Sequence, residues 1–268
     1  MKPVMQIYRM KRRMFLLIPC LGTIGALAAY TTAANLLASV PTPTAPAPRE
    51  GKNLRVLLLG ASGMVGGEVL RACLAHGNVA QVTAIVRRPL TLEHPKLAQT
   101  VHSDFSDFSA LDLRGFDTCF YCIGAYTGTL DDAEYERVLW GIPRAFADEL
   151  RRQNAGVTLC FLTGAGADET EQSRAAYARL FGKAENHLKR LGFTRLHIFR
   201  PGYIYPVTPR KEPNLFYTLM RVLYKPFFSH MKGSATTSAQ LARAMLDVAL
   251  SGGGKLVYEN IDITQRQG

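Results

Sequence analysis

The sequence predicts an α/β fold on a doubly wound parallel sheet, and three observations carry that prediction. Apolar runs of strand length alternate with longer stretches of helical periodicity along residues 53–268. The strand candidates are apolar almost throughout, as strands covered on both faces must be. The first of them, Leu54–Leu59, runs straight into Gly60, Gly63 and Gly66, with an amphipathic stretch behind them.

The glycine run Gly60-Ala61-Ser62-Gly63-Met64-Val65-Gly66 is the most informative element. A diphosphate rests on the first amides of a helix only where no side chain intervenes and the strand-to-helix turn is tight. Gly60 would make the turn, Gly63 would admit the phosphate to backbone, and Gly66 would let the helix close on the sheet. The spacing is one residue longer between the first two glycines than the common dinucleotide fingerprint. A glycine-rich turn of some other α/β protein is the competing reading.

The remaining elements follow in order. A helix is expected over 64–76 and a strand over 81–86, which ends at Arg87 and Arg88. An acid at this position accepts the ribose hydroxyls of NAD, whereas arginine accommodates the 2′-phosphate of NADP. The sequence therefore favours NADP, with NAD as the second choice and a solvated loop as the bland account of both arginines. A strand over 99–102 leads to Asp104, which either meets the adenine or caps the next short helix. A strand over 117–123 leads to Gly124, which either admits the nicotinamide ribose or ends the strand. A helix over 134–153, a strand over 157–163, a helix over 174–191 and a strand over 195–199 complete the alternation.

From Pro206 to Gly233 aromatic and basic residues interleave, among them Arg210, Lys211, Phe216, Tyr217, Arg221, Tyr224, Lys225, Phe227 and Phe228. This segment reads as a small C-terminal substrate lobe. Its pattern suits a lipophilic substrate or a membrane surface, or a helix packed on the body with its basic groups in water. A closing helix over 238–250, capped by Thr236, Thr237 or Ser238, ends at Gly252–Gly254, and Leu256–Ile263 reads as a last short strand.

Charge and cysteine usage exclude several functions. The formal net charge is +11, of which +5 falls in residues 1–50, leaving a scattered +6 on the body. Such a body suits an anionic cofactor and contains no basic block or binding module for nucleic acid. The cysteines at 20, 73, 119, 122 and 160 all sit in apolar contexts. Cys119 and Cys122 form a CxxC inside a strand, where residues three apart face opposite ways, so they read as core residues and not as a metal clamp or redox couple. The six histidines show no ligand spacing, so no metal is expected.

Ahead of the fold, Met14 to Val40 contains no charged residue and follows five basic ones. Residues 1–40 read as a membrane anchor, a cleaved export signal of twin-arginine type, or an upstream extension. Either of the first two makes the protein membrane-anchored or exported; otherwise it is cytoplasmic. Residues 41–52 form a stiff Pro-rich linker.

The glycine run, with Cys122-Ile-Gly124, Leu162-Thr-Gly-Ala-Gly-Ala-Asp168, Gly182-Lys-Ala-Glu185 and Phe199-Arg-Pro-Gly202, resembles the short-chain dehydrogenase/reductase superfamily. The likeness is to its small atypical NAD(P)-binding members of Tat-interacting oxidoreductase type, and to epimerase/dehydratase relatives. It covers roughly residues 54–250. The resemblance implies a Rossmann-type domain and hydride transfer on a small-molecule carbonyl or alcohol. It further implies a hydroxyl residue after the fifth strand and a tyrosine–lysine pair four residues apart on the next helix. Four residues is about 40° around the axis, so both groups share a face, and the ammonium there makes the tyrosine a better proton carrier. Thr163 matches the hydroxyl and Tyr177 the tyrosine, but position 181 is Phe. Lys183 is the nearby cofactor-side candidate, although six residues from Tyr177 is about 240° around the helix. That departure leaves a second function open: a protein that binds NAD(P)H without turning it over and acts as a sensor or interaction module. Arg200 either anchors an anionic group or joins a structural ion pair.

Overall fold

The alternation of strand and helix is borne out, with shifts at the edges. The computed structural model describes residues 53–126, 128–208, 215–224 and 233–266, all within one compact unit. The anchor or export reading of residues 1–40, the linker over 41–52, Cys20 and the basic residues Arg210, Lys211 and Lys225 lie outside the described residues. Among the described residues no helix is long and apolar enough to cross a membrane.

Strand β1 (Leu54–Leu59) leads through the glycine turn into helix α1 (Met64–Ala75), and β2 (Val79–Val86) and β3 (Leu97–Val101) follow. After β4 (Thr118–Tyr121) come α2 (Asp132–Glu136), a π-helical turn over Arg137–Gly141, and α3 (Ile142–Gln153). Then come β5 (Thr158–Leu162), α4 (Ala176–Leu191), β6 (Arg195–Arg200), β7 (Tyr203–Tyr205), α5 (Leu215–Tyr224), β8 (Ala235–Thr237), α6 (Ser238–Ser251), β9 (Val257–Glu259) and α7 (Asn260–Gln265). Seven strands form one sheet in the order β3-β2-β1-β4-β5-β6-β9, and every neighbouring pair is parallel. β7 and β8 pair as a separate ribbon. This is the Rossmann-type doubly wound sheet, and its strand order reverses between β1 and β4.

Alternating residues of β1 feed two cores. Leu54, Val56 and Leu58 join Val69 and Cys73 of α1 and Leu241 and Met245 of α6. Leu57 and Leu59 join Phe146 and Leu150 of α3 and Leu188 of α4. Each such side chain stabilises the fold by roughly 1.5–3 kcal/mol on burial, and only Arg55 of β1 is exposed. Cys119 lies in the second core and Cys122 in the first, on opposite faces of the sheet as the two-residue period requires. Burial raises both thiols, and pushes Cys73 up to about 12, so none is a ready thiolate.

Several boundaries depart from expectation. The helix read over 134–153 begins at Asp132, capped by the Asp131 carboxylate, and is interrupted by the π turn. The strand read over 256–263 is only Val257–Glu259; Glu259 and Asp262 then form a capping box that starts a helix within the same apolar stretch. β3 begins at Leu97 instead of 99, because an edge strand of mixed polarity gives little apolar signal.

Candidate dinucleotide cleft

Gly60 and Gly66 do what their order suggested. Gly60 adopts a left-handed φ of +83°, and a Cβ there would lie 2.6 Å from the Cys122 carbonyl oxygen, so only glycine lets β1 exit beside β4. A Cβ on Gly66 would lie 2.1 Å from the Gly60 oxygen, so α1 is pressed directly onto the turn. Gly63 is the N-cap of α1 and carries no side-chain cap, while its own N–H donates to the Gly60 carbonyl at 2.8 Å. The following amides of α1 therefore remain orphan donors at the positive end of the helix.

Beside this turn, at the strand-order reversal, opens a cleft of about 330 Å³. Its walls come from the ends of four strands: Gly60–Gly63 after β1, Arg87 after β2, Ser103 and Phe105 after β3, and Ile123–Ala125 after β4. Glu134, Arg137 and Val138 close it from α2 and the π turn. Arg137 donates to both Glu134 oxygens at 2.6 Å. Those bonds, with the nearby Arg87 charge, hold the Glu134 carboxyl below its usual range despite slight burial. The composition of this cleft fits a dinucleotide: uncapped amides for a diphosphate, an exposed arginine, and apolar side chains for flat rings.

The other expected cofactor residues divide. Ala61, Ser62 and Gly124 line the cleft, and a Cβ at Gly124 would meet nothing within 4 Å. Met64 instead borders a second cavity of about 440 Å³, which shares Ala61, Ser62 and Gly63 with the cleft, and Val65 is buried in the core. Arg88 is exposed and does not line the cleft. Asp104 accepts from the Ser106 amide and hydroxyl at 2.9 and 2.5 Å, so its carboxylate closes a local turn while Ser103 and Phe105 face the cleft. Lys183 stands 4.7 Å over the Trp140 ring and 3.8 Å from Glu136, off the cleft, as its angular offset from Tyr177 implied.

The two residues expected to be catalytic have different neighbours. The Tyr177 side chain lies against Gly166, with its hydroxyl 3.5 Å from where a Cβ would stand. Thr163 is buried, and its hydroxyl donates to Glu185 at 2.8 Å. Phe181, in the place of the lysine, packs on Gly164 and joins the small cluster of Tyr135, Leu139 and Leu180.

Between α4 and β6 lies a network the sequence did not reveal. Arg200 binds Glu185, which has no exposed surface, and also donates to Glu169 at 2.7 Å and Glu259 at 3.1 Å. Lys189 pairs with Glu169 at 2.9 Å. Burial opposes the Arg200 charge, but Glu185 and Glu169 more than offset it and raise its basicity. Of the two readings of Arg200, the ion pair is the one realised. Glu185 and Arg200 sit inside two of the quoted motifs, so their identities were visible, but their pairing joins elements 15 residues apart. Arg137 and Glu134 of the cleft were likewise unmarked; they stand on the helix Asp132–Glu136 and the π turn that follows it.

No known family's sequence profile matches the chain. It is similar to Protein HTATIP2 of Rattus norvegicus, 29% identical over 212 residues, which covers 75% of this chain and 84% of the relative. It is also similar to the mitochondrial protein fmp52 of Aspergillus clavatus, 35% identical over 159 residues, or 56% of this chain and 66% of the relative. Among solved structures, the Bordetella bronchiseptica enzyme WbmF, crystallised with NAD+, superposes with a TM-score of 0.58 at 14% identity, covering 80% of this chain and 77% of that one.

Proposed function

We propose that this chain is an oxidoreductase of the atypical short-chain dehydrogenase/reductase type, as its likeness to Protein HTATIP2 and to NAD-binding folds supports, and that it binds NADP in the cleft beside Gly60–Gly63. The observation that carries the proposal is the uncapped start of α1 at the strand-order reversal, walled by Arg87 and by no acid from the end of β2. In this reading the Gly63 backbone and the first α1 amides hold the diphosphate, and Arg87 meets the 2′-phosphate. Phe105 and Ile123 exclude water from the flat rings. The nicotinamide nucleotide, when bound, supplies or accepts hydride. The chain's own contribution to the reaction is a proton at the Tyr177 hydroxyl, delivered to a small or lipophilic carbonyl. The basic and apolar residues 1–40 support a membrane-anchored or exported protein.

A specific observation favours a second reading, cofactor binding without turnover. Phe181 supplies no charge to Tyr177, and the Thr163 hydroxyl is committed to Glu185. One experiment separates the two readings. The purified protein is titrated with NADPH and NADH by fluorescence, then followed for NADPH oxidation against aldehydes and quinones, with Tyr177→Phe alongside. Oxidation that Tyr177→Phe abolishes supports the oxidoreductase. Tight binding with no oxidation supports the sensor. No binding of either nucleotide overturns both.

A further inference from the structure

We infer that Glu134 sets the balance between NADP and NAD: its carboxylate is a built-in anion that competes with the 2′-phosphate for the arginines of the cleft. This rests on the cleft binding a nicotinamide nucleotide. The charged side chains that line the cleft are Arg87, Glu134 and Arg137, two guanidinium groups and one carboxylate. Glu134 lies on α2 and Arg137 begins the π turn; residues three apart on a helix emerge on one side. Arg137 donates through Nε and one terminal nitrogen to the two Glu134 oxygens, each at 2.6 Å. That two-pronged grip is the one a guanidinium also offers a phosphate. Arg87 ends β2 with its side chain exposed. The Arg137 bonds, then the Arg137 and Arg87 charges, hold the Glu134 carboxyl below its usual range. One carboxylate thus draws on both arginines.

The sign of its effect follows from charge. A 2′-phosphate is attracted by Arg87 and Arg137 and repelled by Glu134 until that side chain turns away. NAD carries a neutral hydroxyl at the same position and meets no such conflict. Arg137 is not stranded when Glu134 turns away, because the Asp104 charge also reaches it. The pair Glu149–Arg152 on α3 has the same spacing and the same two bonds, but neither residue lines the cleft. Exposed pairs of that kind add little to stability. Position in the cleft, not pairing, marks Glu134.

The test titrates the purified full chain by calorimetry, at one ionic strength, with NADPH, NADH, adenosine 2′,5′-bisphosphate and adenosine 5′-monophosphate. Glu134→Gln keeps the shape of the side chain and removes its charge. It should tighten NADPH and the bisphosphate about tenfold and leave the other two within about threefold, since like charges in a partly exposed site repel through screening solvent. Arg137→Gln should weaken NADPH and the bisphosphate at least about tenfold, because a cation is lost and the carboxylate is set free. Glu136→Gln controls for net charge: it removes one charge from the same helix, at a residue that pairs with Lys183 off the cleft, and should bind all four ligands like wild type. Tightening of all four ligands alike, or tightening by Glu136→Gln, would reduce the effect to net charge and overturn the inference. Unchanged NADPH affinity in folded Arg137→Gln would overturn it too. So would a Glu134→Gln protein that binds NADPH no tighter than wild type does, and the cleft would then still be the NADP site. A wild type that binds neither dinucleotide would overturn the cleft reading itself, and this selectivity with it.

Discussion

Gly63 and Gly66 are three residues apart on one turn, yet adding a methyl group to each should have opposite consequences. At Gly66 a Cβ would stand 2.1 Å from the Gly60 oxygen, against 3.4 Å or more for ordinary contact, so backbone must move by over 1 Å. Overpacking of this kind costs up to about 3 kcal/mol, and the better helix propensity of alanine returns about 1 kcal/mol. Gly66→Ala should therefore lose about 2 kcal/mol, a fall in Tm of roughly 4–8 °C for a domain of this size. Gly63 has an ordinary φ of −80°, and its Cβ would lie 3.0 Å from the same oxygen, which a shift of a few tenths of an ångström relieves. Its stability cost, including the poorer cap, should stay near 1 kcal/mol. A methyl group there does, however, occupy the approach of a diphosphate to the α1 amides. NADPH affinity should fall at least about tenfold, equivalent to about 1.4 kcal/mol. Urea denaturation and fluorescence titration of both variants read the two effects separately. Wild-type stability in Gly66→Ala would refute the packing argument, and unchanged NADPH affinity in a folded Gly63→Ala would refute the site.

Arg87→Ala should weaken NADPH binding about tenfold or more while leaving NADH within a few-fold, as loss of a charge-assisted contact to the 2′-phosphate demands; Arg88→Ala, off the cleft, should bind both like wild type in the same titration. Glu185→Ala should destabilise the protein by about 3–5 kcal/mol in chemical denaturation, because the partly buried Arg200 and the Thr163 hydroxyl lose their common partner. His197 is lowered by burial, against the bond its Nδ1 makes to the Lys255 carbonyl, and its Nε2 is buried without a partner. The unfolded chain therefore binds a proton first as pH falls through about 6.5, and stability should drop from there until the native pKa is passed. His197→Gln should flatten that part of the stability–pH curve, and an unchanged slope would assign it to other groups.

How much of this was legible in the sequence depended on how local the cause was. β1 was readable to the residue because burial on both faces leaves an apolar run broken only by the exposed Arg55, and the glycine turn because each glycine answers a clash within the turn or with the adjoining strand end. The first arginine after β2 reaches the cleft wall and the second does not, a distinction set by loop direction that residue type cannot carry. The ribbon of β7 and β8 went unread because three-residue strands have no period to detect. The last strand was overextended because Val257, Ile261 and Ile263 continue the apolar pattern, while the stop comes from a reciprocal cap between Glu259 and Asp262. Arg200 could not be settled at all from sequence, since its three carboxylates arrive from the β5–α4 loop, α4 and the end of β9.

That network also bears on chemistry. Glu185 lies four residues beyond Phe181 on α4, so the helix that would carry a proton-transfer pair also carries the buried carboxylate that holds Arg200 and the Thr163 hydroxyl. A hydroxyl bonded to a buried carboxylate is held in place and is costly to redirect toward a substrate. The same segment, Gly164 to Asp168, is pinned by Phe181 against Gly164 and by Gly182, where a Cβ would lie 1.7 Å from the Asp168 oxygen. Both contacts make the start of α4 a rigid wall of packed backbone. The cleft beside β1 and β2 thus offers uncapped amides and an exposed guanidinium, whereas the residues beyond β5 form a satisfied structural network. In the proposed reaction the proton comes from Tyr177, whose hydroxyl neighbours Gly166 and has Phe at position 181 in place of a cation, so a rate that survives Tyr177→Phe would assign the proton to another source.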